Sequence, residues 1–176
     1  LSDVDDRVRH AALEALKDPG GTARDYLIEA LRARDEKVRK GVAEALEAGG
    51  WEPETREEEV LYLMARDRWA GVEQVGADAL PVLVEALSDP SIETRANATR
   101  TIARIGGEAA VAPLIMALRD DALMVRMRAE RALVDMGDTA LPALTEAIDE
   151  APEEARTVLQ RIVDAIHTTG TPPAES

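Results

Sequence analysis

Arg100, Arg131 and Arg161 recur at intervals of 31 and 30 residues, each standing five residues after another arginine: Arg95, Arg126 and Arg156. A guanidinium presents a planar fork of donors that grips a carboxylate through two parallel hydrogen bonds. A row of such forks, spaced by a structural repeat, suits an acidic peptide or protein segment. Thr99, Glu130 and Gln160 flank the row. On a chain of formal net charge −14, with 21 Lys and Arg against 35 Asp and Glu, three successive arginines are a local exception. The competing expectation is that they pair with Glu130, Asp164 and neighbours merely to balance charge, each exposed pair contributing about 0–1 kcal/mol.

Residues suited to catalysis are sparse. His10 and His167 are the two histidines, neither beside a glutamate, and so distant a pair makes no metal constellation. Without cysteine there is no disulfide framework, thiolate metal site or thiol nucleophile. Gly20-Gly21, Gly49-Gly50 and Gly106-Gly107 read as helix stops, not as phosphate loops. Carboxylates are too abundant for any two to single themselves out as acid and base. The run Glu57-Glu58-Glu59 reads as a solvated helix start favoured by the helix dipole. The expectation is a non-enzymatic chain with no catalytic, cofactor-binding or metal-ligating residues.

The elements that position the arginines repeat. Arg9, Arg39, Arg95, Arg126 and Arg156 are separated by 30, 56, 31 and 30 residues. Eight residues before each lies Leu1, Leu31, Leu87, Leu118 or Ile148; six before lies Asp3, Asp89, Asp120 or Glu150, with Ala33 as the exception. After the key arginine, Ala129, Leu133 and Met136 repeat the spacing of Ala98, Ile102 and Ile105. Steps of three and four place such residues on one helical stripe. The column seven residues after each arginine, Leu16, Leu46, Ile102, Leu133 and Val163, is expected to be buried. The column five residues after, Glu14, Glu44, Arg100, Arg131 and Arg161, falls on the exposed face. Pro81, Pro113 and Pro142 are expected near the starts of first helices, and glycine follows each second helix.

A single hairpin cannot bury its own stripe, but stacked neighbours can. The predicted fold is therefore all-α, a right-handed solenoid of about five hairpins plus one degenerate unit. It forms one domain over 1–170, with units 1–20 (partial), 21–50, 51–76 (degenerate), 77–107, 108–138 and 139–170, and a frayed tail at 171–176.

Stretches spelled "EALSDPSIETRANATRTIARIGG" and "MALRDDALMVRMRAERALVDMGD" resemble HEAT repeats, specifically the short subclass known from phycobilisome lyases and small prokaryotic scaffold proteins. The resemblance implies a protein-binding scaffold whose second helices line a concave surface. It also implies a ladder in which turn acids bond arginines of neighbouring repeats. That assigns Asp3, Asp89, Asp120 and Glu150 to work with Arg9, Arg39, Arg95, Arg126 and Arg156. Ala33 leaves one rung without its acid, and Asp35 stands two residues on. The alternatives are an accessory or lyase-type role in chromophore or cofactor attachment, or a regulatory domain of a larger protein.

The period breaks at "WEPETREEEVLYLMARDRWAGVEQVG", residues 51–76. Two short helices, about 54–66 and 68–75, are expected, the first opened by a Thr55…Glu58 capping box. Trp51, Tyr62 and Trp69 either fill the gap left where regular stacking fails or form a binding element.

An acidic surface repels phosphate backbones, which argues against nucleic acid as partner. No stretch approaches the roughly 18–20 apolar residues of a membrane span. A cytoplasmic location is expected. Leu1 matches the last residue of a first helix, so the chain is expected to begin inside a unit, leaving an apolar flank for self-association or marking an excised fragment.

Overall fold

Apolar residues three and four apart give the chain its helices, and glycines or capped turns end them. The computed structural model describes residues 22–170. Asp3, Arg9, His10, Glu14 and Leu16, the partial unit 1–20 with its expected self-association, and the tail 171–176 lie outside the described residues. The helices are α1 (Thr22–Ala30), α2 (Glu36–Ala48), α3 (Arg56–Ala65), α4 (Trp69–Val75) and α5 (Leu80–Ala86), then α6 (Ile92–Ile105), α7 (Glu108–Ala117), α8 (Leu123–Met136), α9 (Leu141–Glu150) and α10 (Glu153–Gly170). Short 3-10 turns, Gly76–Ala79 and Gly137–Thr139, lead into α5 and α9. Among the described residues there is no strand, and no helix is long and apolar enough to cross a membrane. The all-α expectation holds.

Within the expected single domain two compact units stand out. Among the described residues, the first takes in 22–82 together with 89–91, and the second comprises 83–88 and 92–170. In the first, α1 packs on α2, α2 on α3, and α3 on α4 and the Gly76–Ala79 turn. Leu31, Leu46, Val60 and Val72 are its largest fully buried side chains among the described residues. In the second unit α8 lies between α6 and α10 to make one layer, and α7 packs beside α9 in the other. Ile102, Leu114, Leu133, Leu144 and Ile162 fill the space between the layers.

The expected core column is buried in each unit by itself: Leu46, Ile102 and Leu133 are fully enclosed and Val163 nearly so. Each enclosed side chain of this size stabilises the fold by about 1.5–3 kcal/mol. At the ends of second helices Gly106 and Gly137 take φ of 66° and 55°, the left-handed region that stops a helix at little steric cost.

Proline placement needs one correction. Pro81 and Pro142 are second residues of α5 and α9, but Pro113 sits inside α7. Its unit spends one more residue between glycine and proline than the other two. The stretch that forms a 3-10 turn ahead of α5 and α9 is here part of a continuous helix beginning at Glu108.

Candidate protein-docking groove

The ladder shows how neighbouring second helices are held. Asp120 accepts the Ala122 N–H at 2.8 Å, which fixes its carboxylate in the turn before α8. Arg95 of α6 then donates to it through Nε at 2.7 Å and Nη2 at 3.0 Å, and also bonds Asp121. Both members of the Arg95–Asp120 pair are almost wholly buried. Burial pushes the Asp120 carboxyl upward, but the Arg95 hydrogen bond, the Ala122 amide, the Arg95 charge and a bond with Asp121 outweigh it. The group is held below the usual carboxylate range. Arg39 repeats the device on Asp89 at 3.1 Å, reaching past the degenerate segment to the next regular turn. Asp89 is itself anchored by the Ser91 N–H at 2.8 Å.

The ladder stops there among the described residues. Arg126 donates to the carbonyls of Asp120 and Asp121 at 2.7 and 2.8 Å rather than to Glu150. Glu150 and Arg156 are both exposed. The physical reason lies two residues after Glu150, where Pro152 has no N–H to anchor a turn carboxylate. Asp35 does not replace the missing acid at Ala33 either. It caps α2 by accepting the Lys37 N–H at 2.9 Å, while Arg39 donates to the Ala33 carbonyl at 2.6 Å.

Between α6 and α8, within the second unit, opens a groove of about 930 Å³. Ala103 and Ala132 form part of its lining, and Leu123, Met124 and Met127 stand along it, exposed by 61%, 45% and 60%. Arg128 fixes the approach of the two helices, since its Nη1 donates to the Ala96 carbonyl at 2.7 Å. Arg100, Arg104 and Arg131 complete a basic border, and Asp135 is the one acidic residue in the lining. Apolar side chains exposed together mark an interaction surface more often than they serve the fold. Methionine suits such a surface because its unbranched, polarisable chain adapts to its partner.

The expected arginine row is exposed, but its members differ. Arg100 has no ion pair among the described residues and faces the groove. Arg131 also lines it and pairs one turn along with Asp135 at 2.9 Å. Arg161 grips Glu130 with two bonds of 2.8 and 2.9 Å, so both residues are engaged with each other. Gln160 donates to Asp164 at 3.0 Å beside Arg161 in a separate, smaller depression. Thr99 is not available to a partner: it is fully buried and its hydroxyl donates to the Arg95 carbonyl at 2.8 Å. Sequence reasoning missed Leu123, Met124 and Met127. The signal was present, since α10 carries Glu153, Glu154 and Thr157 at the same positions relative to its key arginine.

The degenerate segment folds as α3 and α4 close to the expected limits. Thr55 accepts the Glu58 N–H at 3.1 Å, and Glu58 reaches back to the Glu54 N–H at 2.8 Å. Trp69 is buried, its indole N–H donating to Asp67 at 2.5 Å, and Trp51 packs on Tyr62 with ring centroids 5.6 Å apart. Gly71 lets α4 press against Leu63, where an added Cβ would come within 3.0 Å. The aromatic side chains thus have a packing role, and Arg66 closes this side with ion pairs to Glu44 and Glu47 at 3.3 and 3.0 Å.

Among the described residues no group of three or more His, Asp or Glu side chains is placed to hold a metal ion. Residues 80–163, a little under half of the chain, match the family model described as HEAT repeats. That segment holds the groove. No curated protein matches the chain.

Proposed function

We propose that the chain is a non-catalytic protein-interaction module that receives a segment of a partner protein in the groove between α6 and α8. The observation that carries this reading is the exposure of Leu123, Met124 and Met127 together, beside arginines, on a chain that otherwise surrounds itself with acid. HEAT-like repeats serve protein binding in general, and the match over 80–163 supports that class of role. The period of 30–31 residues supports the short subclass that the sequence resembles.

The test places a photo-reactive residue at position 127 in the groove and, separately, at Ala112, exposed on α7. In cells that make the protein, irradiation is expected to give discrete protein adducts from position 127 that position 112 does not give. Identical adducts from both positions, or none from 127, would contradict the reading.

A further inference from the structure

Resting on that docking reading, we propose that the occupant of the groove is an acidic amphipathic helix. It would carry apolar side chains three and four residues apart on one face and carboxylates along the edges.

The first support is dimensional. The lining follows α8 from Leu123 to Met136, about 20 Å at the helical rise of 1.5 Å per residue. That is room for three turns of a docked helix. Half of a helical cylinder of this length, about 10–12 Å across with side chains, fills roughly 750–1,100 Å³. The groove measures about 930 Å³.

The second support is the backbone of the occupant. An extended peptide gains affinity by adding a strand to a sheet edge, and among the described residues there is no strand. Laid in a mostly apolar groove, such a peptide would leave its own N–H and C=O groups without partners. A helix satisfies those groups internally and offers only side chains. Ala103 and Ala132 allow its axis to approach, while Leu123, Met124 and Met127 meet its apolar face.

The third support is charge. Four arginines and a single aspartate line the groove, the reverse of the chain as a whole. Arg100 has no ion pair among the described residues. Among the described residues Arg131 pairs only with Asp135 of its own helix, an exposed contact that gives way readily to an incoming carboxylate. Complementary charge of this kind steers encounter and fixes orientation.

The probes are labelled synthetic peptides titrated against the full chain by fluorescence anisotropy. One carries leucines at helical spacing flanked by glutamates; a second replaces the glutamates with lysines; a third keeps the glutamates but has a central proline. The acidic helix is expected to bind at least about tenfold more tightly than either of the others, and more weakly as salt rises. The double variant Arg100→Glu, Arg131→Glu, checked for unchanged helicity, is expected to reverse the preference toward the lysine peptide. Equal binding of the acidic and lysine peptides, equal binding of the proline peptide, or no binding by any of them would overturn the proposal. Self-association of the chain that is lost in Met127→Lys would overturn it too, by identifying a second copy as the occupant. If adducts form at position 127 but the acidic peptide fails, only the acidic helix falls. If both fail, the docking reading falls with it.

Discussion

Counted from Arg39 and Arg126, α2 and α8 bury the same positions: Val42 and Leu46 in one, Ala129 and Leu133 in the other. Outside that stripe they part. Where α2 carries Glu36, Lys37 and Lys40, all exposed, α8 carries Leu123, Met124 and Met127, also exposed. The inner column is what both helices need in order to fold. The outer trio is not needed for that, because α2 folds with charges there. Apolar side chains kept in water at three matching positions are thus a mark of use, and the groove they border lies beside α6.

The inner column can be broken first. Leu133→Ala and Leu46→Ala are each expected to cost about 2–5 kcal/mol, the range for a cavity in a close-packed core. Chemical denaturation followed by circular dichroism measures both, and tryptophan fluorescence reports on the unit that holds Trp51 and Trp69. If either variant unfolds like the parent, the two helices do not share a register.

The ladder sharpens the contrast between turns. Asp120→Ala is expected to cost roughly 2–3 kcal/mol, because it strips a buried arginine of its main partner while Asp121 remains. Glu150→Ala, at the turn where Pro152 blocks the same anchor, is expected to stay within about 0.5 kcal/mol. Asp120 also sets an acid limb. Its carboxyl is held below the usual range in the folded state, so its stabilisation is complete above the ordinary value and is lost as pH falls through the lowered one. Asp120→Asn should lack that part of the acid loss in denaturation curves measured across the acid range.

Much of this was legible in the sequence. The period, the inner column and the two helices of the degenerate segment follow from spacing and capping, which depend on local chemistry alone. Besides the unformed Glu150 rung, three things did not. Pro113 lies within a helix because one extra residue after Gly107 lets the preceding turn join α7. Spacing alone sets Thr99 beside an exposed row, yet four residues after Arg95 it lies next to the buried Ala98 and three from Ile102, at the edge of the core stripe. The groove residues went unread because isolated surface methionines and leucines are ordinary. They gain meaning only when second helices are set against each other and α8 alone carries all three.

The smallest effect concerns the border. Arg131→Ala is expected to lower stability by only about 0.3–0.5 kcal/mol, the value of an exposed pair one helical turn apart. Thermal unfolding resolves it against the parent, and a larger loss would mean that Arg131 serves the fold rather than a partner.

The most direct measurement writes the surface of α2 onto α8. The triple variant Leu123→Glu, Met124→Lys, Met127→Lys carries a photo-reactive residue at the exposed groove position 135, alongside the same label in the otherwise unaltered chain. We expect the variant to keep its helicity and to unfold within about 0.5 kcal/mol of the parent, while the protein adducts formed from position 135 disappear. Adducts that persist undiminished would show that the apolar trio is not a docking surface, and a collapse of stability would show that it belongs to the core.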